Sequence, residues 1–434
     1  MLHSILLAPA LAVVLASISC LVSADDSNVT VEPAQLFPQY NSQRVKIHYG
    51  PFTAASTDVN NGMADFEQED VQMPCTNCII TWMQAGLEYP NGTVANANTN
   101  LWLHHTVFAN MNRTSTVCPG PDNPDTFFAS GNERTPIDIC ANGTEQAGYY
   151  LASTDTLGME LELMNMSPTP QSGVLTMTYE YIPDPPSSFS HVKLLWLDIG
   201  GCNGSSDQPV KSATQAFQYT SSAWVSDISG KVTFVGGHLH DGGTHLEVQR
   251  NGTEECDCVA TYGANSAYIG GGMSMSASMA MGSSSMSMSM SMTTSSSMDM
   301  ASMSMPGSTS SMAMPTSSAS SGLNDNVHIS NISICSNPKN NLVSPGDVWT
   351  ITAYYDPSQH DLMLDTNGTA APIMGIALVY VADLNVTGTS SGSGAASPVA
   401  TSTSGVGAGA VLEMGSFGIM CLGFGWIIVM GTVF

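Results

Sequence analysis

Short segments of alternating apolar and polar residues constrain this chain more than any other feature of its sequence. Gly, Pro, Asn and Asp separate these segments, and Val174, Thr176 and Thr178 place β-branched side chains on one strand face. No long stretch has the periodicity of an amphipathic helix. The pattern predicts an all-β fold. Its predicted strands include 44–53, 78–89, 100–111, 158–166, 173–182, 191–199, 231–240, 244–250, 327–335, 347–355 and 374–381.

The number of strands predicts two antiparallel β-sandwich domains in tandem. An ordered body of roughly 270 residues is larger than one sandwich commonly needs. Pro183, Pro185 and Pro186 interrupt the strand pattern near its middle. We therefore expect jelly-roll-like sandwiches over residues 40–186 and 187–385.

A segment of unusual composition interrupts the second predicted domain. Residues 270–321 are almost entirely Ser, Met, Ala, Thr and Gly, and fourteen of the 28 methionines fall between Met273 and Met314. Such a segment buries too little apolar surface to fold alone, so we predict a disordered insertion. Thioethers are soft ligands that select Cu(I), which favours copper capture by this segment. The alternative is a low-complexity repeat with O-glycosylated serines and no metal role.

The N-terminal residues predict secretion. Residues 1–24 carry no charged side chain, contain an apolar core, and end in Val22-Ser23-Ala24, which is typical of a cleaved signal peptide.

The C-terminal residues predict a glycolipid anchor. Small residues at 391–396 lie within a Ser/Gly/Ala-rich linker (386–405), and an apolar tail (406–434) follows. This order is typical of a glycosylphosphatidylinositol signal, with attachment near Ser393 or Gly394. A single transmembrane helix is the alternative. We expect a protein at the cell surface, held on the plasma membrane or cell wall through the lipid anchor only.

Glycosylation sequons and charge agree with that location. The formal net charge of −26 argues against nucleic acid as a partner. Ten Asn-x-Ser/Thr sequons predict a heavily glycosylated surface. They begin at Asn28, Asn91, Asn112, Asn142, Asn165, Asn203, Asn251, Asn331, Asn367 and Asn385.

The cysteines predict disulfide bonds. Ten cysteines become eight once Cys20 and Cys421 leave with the two end segments, and an even count in an oxidising compartment favours pairing. Their connectivity stays open. Cys75 and Cys78 have the spacing of a metal or redox motif, but structural half-cystines are the simpler interpretation in a secreted chain.

Two histidine groups are candidate metal ligands. His238 and His240 are two residues apart on a predicted strand, so both imidazoles can face one ion. His104 and His105 are adjacent, and both can reach one ion only at a bulge or strand end. Structural or surface roles are the alternative for each pair.

Together these motifs resemble the copper type II, ascorbate-dependent monooxygenases, the family of the peptidylglycine α-hydroxylating and dopamine β-monooxygenases. The resemblance covers most of residues 46–381 and implies two tandem β-sandwiches with one copper ion each. It implies a first copper held by His104 and His105, and a second held by His238, His240 and Met374.

One position departs from the family pattern. The resemblance implies a third histidine for the first copper, and the matching position holds Met164. A thioether in place of an imidazole favours Cu(I) over Cu(II). His48 or His191 could compensate, although ordinary positions in a sheet explain both.

Three functions are compatible with the sequence. The first is an extracellular copper monooxygenase that hydroxylates a C–H bond of a small molecule or peptide. It would use His238, His240 and Met374 as catalytic ligands and ascorbate or another reductant. The second is a non-catalytic surface protein that binds or acquires copper. The third is a structural surface glycoprotein.

Glu160 and Glu162 add one further possibility. They share a strand face and could be a glycosidase pair, or they could form a solvated face.

Overall fold

The computed structural model describes residues 28–202, 205–263, 328–365 and 368–384. Within these ranges the regular structure is β-strand, apart from 3-10 turns at Pro38–Tyr40, Asn60–Gly62 and Ala97–Thr99, which confirms the all-β prediction. The strands are β1 (Val29–Glu32), β2 (Gln43–Ala54), β3 (Met63–Val71), β4 (Cys78–Glu88), β5 (Leu101–Thr114), β6 (Pro124–Gly131), β7 (Ile137–Asp138), β8 (Ala147–Leu151), β9 (Leu157–Asn165), β10 (Gln171–Pro183), β11 (Ser190–Asp198), β12 (Phe217–Thr220), β13 (Trp224–Val225), β14 (Gly230–Leu239), β15 (Gly243–Arg250), β16 (Thr253–Tyr262), β17 (Ile329–Ile332), β18 (Cys335–Ser336), β19 (Leu342–Val343), β20 (Val348–Tyr355) and β21 (Gly375–Asp383).

These strands form three sheets. The longest has eleven strands in the order β1-β2-β10-β4-β8-β11-β21-β14-β18, with β7 beside β4 and β19 beside β14. The second has the order β12-β20-β15-β16-β17, with β13 beside β20, and the third has the order β3-β9-β5-β6. Pairing is antiparallel except between β8 and β11, where Ser190 lies beside Ala147. This parallel pair continues the long sheet from the N-terminal half of the chain into the C-terminal half.

Two large hydrophobic cores and a small third one around Phe37, Ile79 and Phe189 lie against the long sheet. The first joins its β2, β4 and β10 to the four-stranded sheet, and the second joins its C-terminal strands to the six-stranded sheet. Strand β21 contributes to both, because successive side chains of a strand point to opposite faces. Ile376 and Leu378 belong to the first core, while Ala377 and Val379 belong to the second. The predicted division between residues 186 and 187 falls between β10 and β11 and stays a prediction.

Six of the eight expected cysteines form disulfides. The pairs are Cys75–Cys78, Cys118–Cys202 and Cys256–Cys335. Cys140 and Cys258 are free and buried, so the expectation that all eight pair is corrected. The reason lies in their neighbours: Cys258 lies 3.6 Å from the sulfur of Cys256, which is already paired with Cys335, and the Cys140 thiol donates to Asp138 Oδ1. Burial raises the pKa of the Cys258 thiol to about 12, so this thiol stays protonated at neutral pH.

Several predicted segments lie outside the described residues. They are the signal peptide (1–24), the Met/Ser-rich insertion (270–321), the linker (386–405) and the apolar tail (406–434). In the part of the chain that the structure describes, no helix has the length and apolar character needed to cross a membrane.

Candidate metal centre

Four histidines from distant parts of the chain meet in one buried cluster. The Nε2 atom of His105 lies 3.1 Å from the Nε2 atom of His238 and 3.1 Å from that of His240. The ring nitrogens of His104, His105 and His240 lie close enough together to hold one metal ion. We call these three residues and His238 the histidine cluster. The resemblance assigned the two pairs to two ions, whereas the structure places both pairs in one contiguous group.

A bulge brings His104 and His105 to the same site. In the pairing of β5 with β9, Leu103 lies opposite Leu163 but His105 lies opposite Glu162, so His104 is the extra residue. A bulge of this kind re-aims a side chain that would otherwise face the other side of the sheet. The sequence-based expectation that both imidazoles need a bulge or strand end is therefore confirmed.

His238 and His240 occupy the end of β14. His238 lies beside Ile376 of β21, and His240 follows the last residue of the strand. The backbone N–H of His240 donates to the Tyr355 hydroxyl at 3.1 Å, which fixes the chain where the strand ends. Both imidazoles reach His105, as expected for residues two apart on one strand.

A glycine in β6 makes room for the cluster. Gly131 pairs with His105, and a Cβ atom added at Gly131 would lie 2.8 Å from His238 Cε1 and 2.8 Å from the backbone oxygen of His104. Both distances are shorter than real Cβ contacts, so only glycine lets β6 pass this close to the imidazoles.

Each imidazole is anchored through its Nδ1 atom. Glu162 Oε2 lies 2.8 Å from Nδ1 of His105, and Glu162 Oε1 lies 3.0 Å from that of His104. Glu133 Oε1 lies 3.1 Å from Nδ1 of His238, and the Pro372 carbonyl oxygen lies 2.8 Å from Nδ1 of His240. Such partners fix the ring orientation and leave Nε2 as the ligand atom, which is the usual arrangement around protein-bound metals.

Burial and charge set the protonation of the cluster. Burial, followed by the neighbouring His104, lowers the pKa of His105 to about 4. Burial and then the other histidines hold the pKa of His240 well below its usual value. Both imidazoles are therefore neutral near pH 7, which is the form that binds a metal.

His104 and Glu162 behave as an ion pair. Burial by itself would lower the pKa of His104, but the Glu162 carboxylate outweighs it and the pKa is raised. Burial would also raise the pKa of Glu162, yet His104 and His105 lower it far below its usual value. Without a metal, positive charge is thus concentrated on His104.

Of the two predicted methionine ligands, Met164 shares a sheet face with the cluster, and Met374 follows Pro372, whose carbonyl oxygen contacts His240. Met164 is two residues from Glu162 on β9 and pairs with Trp102 of β5, so it shares the sheet face of the cluster. Met374 packs against the first core, and its backbone oxygen accepts a hydrogen bond from the Tyr355 hydroxyl. Within the cluster the histidines contact one another, and Glu162 and Glu133 contact the histidines from its periphery.

Sequence reasoning did not identify Glu133 and gave Glu162 other roles. Glu162 is neither part of a solvated face nor paired with Glu160, because its carboxylate lies against His104 and His105. The sequence around Glu162 does not indicate its contact with the two histidines. Glu133 lies in the turn after β6, where the sequence carries no motif.

His48 and His191 take no part in the cluster. His48 Nδ1 contacts the backbone oxygen of Asn28, and His191 stacks on Tyr150 with ring centroids 4.5 Å apart.

The donor set fits copper. Imidazole nitrogen suits copper, and ligand atoms about 2 Å from an ion lie roughly 3 Å from one another, which is close to the observed 3.1 Å. Neither ring nitrogen of His104 makes a hydrogen bond among the described residues: Nδ1 has only its ion-pair contact with Glu162, and the buried Nε2 is available to a metal.

The sequence was compared with known proteins. No family model matches it. It is 29% identical over 360 residues to probable copper-dependent oxygenase M1 of Phoma sp., which covers 83% of this chain and 77% of the relative. It is also 29% identical over 299 residues to probable copper-dependent oxygenase clz3 of Cochliobolus lunatus, covering 69% and 78%.

Both relatives carry the name copper-dependent oxygenase. The similarity to M1 extends over most of the chain and supports a protein of the copper oxygenase kind. The described histidine cluster agrees with that kind, because copper-dependent oxygenases need a metal-binding donor set.

Proposed function

We propose that this protein is a copper-dependent oxygenase with one copper centre held by His104, His105, His238 and His240. The observation that carries the proposal is the convergence of these imidazoles: each Nδ1 atom lies within 3.1 Å of an oxygen partner, and the Nε2 atom of His105 lies 3.1 Å from those of His238 and His240. The names of the two relatives support the copper and the oxygenase parts of the proposal.

The residues around the cluster hold its geometry during the reaction. Bound copper would supply electron exchange with a reductant and with dioxygen. Glu162 fixes the orientation of the His104 and His105 rings. Glu133 and the Pro372 carbonyl do the same for the other two histidines. His104, His238 and His240 are at most 8% exposed, which limits the access of bulk water to them. A dry site strengthens the electrostatic effect of the carboxylates on the imidazoles.

A finer proposal concerns the type of oxygenase. The resemblance to the ascorbate-dependent copper monooxygenases supports hydroxylation of a C–H bond in a small molecule or peptide, with ascorbate or another reductant. The His-His and His-x-His motifs carry that resemblance. Met164, on the sheet face of the cluster, would then adjust the copper site.

The proposed location is the cell surface. The signal-like residues 1–24 and the anchor-like residues 391–434 support a secreted protein that a glycolipid holds on the membrane or wall. The three disulfides agree with an oxidising compartment.

Metal content and oxygen consumption test the function. We expect copper to co-purify with the protein, to give a Cu(II) signal in electron paramagnetic resonance, and to support oxygen consumption with ascorbate. The His238→Ala/His240→Ala variant should lose all three. Bound copper that supports no substrate oxidation with any oxidant or reductant would favour the non-catalytic copper-binding function, and absence of copper would favour the structural glycoprotein.

A further inference from the structure

A small cavity adjoins the histidine cluster. Its volume is about 20 Å³, and its walls include Trp102, Asn132, Glu133, Asp241 and the cluster residues His104, His238 and His240. A cavity needs about 10–15 Å³ of such volume to hold one water molecule. It therefore has room for a ligand of one or two heavy atoms.

Two of its walls carry unused hydrogen-bonding groups. The Trp102 side chain is only 2% exposed, and its indole N–H has no partner among the described residues. Asn132 is 7% exposed, and its Nδ2 donates to the Ile329 carbonyl oxygen at 2.9 Å. The Oδ1 atom of Asn132 has no partner in the same described part of the chain. Buried polar groups are normally paired, so this donor and this acceptor point to a guest that satisfies both.

The charges around the cavity limit the kind of molecule that it can bind. The Glu133 carboxylate pairs with His238 at 3.1 Å. The Asp241 carboxylate pairs with His328 at 2.6 Å. Two carboxylates in the wall disfavour an anion, and dioxygen offers no hydrogen to Asn132. A neutral molecule with O–H groups fits the walls on both counts.

We propose that this cavity binds hydrogen peroxide and that Trp102 and Asn132 position it as an oxidant beside the cluster. The inference rests on the proposed oxygenase function and names its co-substrate. Peroxide has two heavy atoms and is both a donor and an acceptor, so it can accept from the Trp102 N–H and donate to Asn132 Oδ1. Water has the same hydrogen-bonding chemistry, and titration with peroxide distinguishes the two molecules.

The reaction that this oxidant supports is balanced without a further reductant. A substrate C–H bond and the peroxide O–O bond break, and a C–O bond and an O–H bond form. The substrate carbon loses two electrons and the peroxide gains them. The products are the hydroxylated substrate and one molecule of water.

The first test needs no copper. The metal-free protein, labelled with ¹⁵N at its tryptophans, is titrated with hydrogen peroxide while the indole N–H resonances are recorded. The Trp102→Phe variant identifies the Trp102 resonance. Trp349 is the internal control, because its buried indole N–H also has no partner among the described residues but lies in the second core.

The Trp102 resonance should shift saturably and return when catalase removes the peroxide, while Trp349 stays unchanged. A Trp102 resonance that does not move, or equal movement of both, would overturn the proposal and leave the cavity to water.

The second test uses copper-loaded protein. We measure the rates at which hydrogen peroxide and dioxygen oxidise the Cu(I) form, with a radical scavenger present. Loss of one hydrogen bond in Trp102→Phe should lower the ratio of the peroxide rate to the dioxygen rate about tenfold. Trp349→Phe is the matched control and should leave this ratio unchanged.

Different results would contradict the peroxide site and the oxygenase function. Equal ratios in the two variants would overturn the peroxide site while copper binding still supports the oxygenase. Failure to load copper would overturn the oxygenase itself.

Discussion

The Nε2 atoms of His105 and His240 lie 3.1 Å apart, although 135 residues separate them in the chain. His105 belongs to the four-stranded sheet, and His240 follows a strand of the eleven-stranded sheet. The two sheets therefore meet at these imidazoles, and a metal bound there would link the two halves of the protein. Metal binding would then stabilise the fold, because the folded state alone assembles the site.

If the two histidine pairs share one copper ion, substitutions in either pair should remove all of the copper from this site. His105→Ala should reduce copper content to near zero, as should the His238→Ala/His240→Ala variant, because each removes ligands of the same ion. His245→Ala is the control, since His245 stacks on Tyr354 away from the cluster. Copper per chain is measured by mass spectrometry of the purified protein. Retention of half the copper in each variant would instead indicate two independent centres.

Glu162 should control copper affinity without being a ligand. Glu162→Gln keeps the shape of the side chain but removes the charge that holds His104 and His105. We expect Cu(II) binding to weaken by about 10–100-fold, the usual effect of losing an anchoring partner. Competition with a chelator measures this change. Glu160→Gln alters a carboxylate on the same strand face and should have little effect, so equal losses in both variants would contradict the assigned role.

Copper affinity should increase with pH across the neutral range. The pKa of His104 is raised above the usual 6.5 by Glu162, so copper must displace its proton. Affinity should rise up to about tenfold per pH unit until the pH exceeds this raised pKa. His105, with a pKa of about 4, adds no such dependence near pH 7. Chelator competition between about pH 6 and 8 checks the slope, and an affinity independent of pH would argue against a protonated His104.

The ion pair between His104 and Glu162 makes the stability of the metal-free fold depend on pH in the opposite direction: stability falls as pH rises. Because the folded pKa of His104 is raised, its stabilising contribution is complete below pH 6.5 and is lost as pH rises through the folded value.

Gly131→Ala should damage the metal site. The new methyl group would collide with the backbone of His104 and with the ring of His238. We expect a loss of copper affinity of at least tenfold together with a destabilisation of about 1–3 kcal/mol, as for overpacked sites. Thermal unfolding and chelator competition measure the two effects. Gly120→Ala is the control, because its nearest neighbour lies at an ordinary 3.5 Å.

The sequon at Asn165 should carry no glycan in the secreted protein. Asn165 is fully buried, and its Nδ2 donates to the carbonyl oxygens of Ala55 and Thr169 at 2.6 and 2.9 Å. The sugar would have to replace these hydrogen bonds. Asn91 lies exposed in a turn and should be occupied. Glycopeptide mass spectrometry compares the two sites, and a glycan on Asn165 would contradict the packing described here.

Much of the fold could be predicted from local pattern. Strands with a clear apolar alternation, such as β4, β10 and β20, lie within one to three residues of their predicted bounds. Strand β3 was missed because Glu67, Glu69 and Asp70 make it look like a loop. It lies at the edge of its sheet, where many of its side chains face solvent. Edge strands need few apolar residues, so their sequences carry little signal.

The sequence by itself determined which residues could bind a metal. His238 and His240 share a strand face because of the two-residue period, and the adjacent His104 and His105 require a bulge to act together. These conclusions depend only on backbone geometry over a few residues.

Tertiary structure alone decided that the two pairs form one cluster, and that Glu162 and Glu133 anchor it. The pairing of β14 with β21 places His238 beside Ile376, on the face that the first core covers. The bulge between β5 and β9 turns His104 toward the same point. Side-chain period is a local property, but the strands that face one another are chosen by packing across the whole chain. For that reason the sequence could supply the ligands, and only the fold could bring them together.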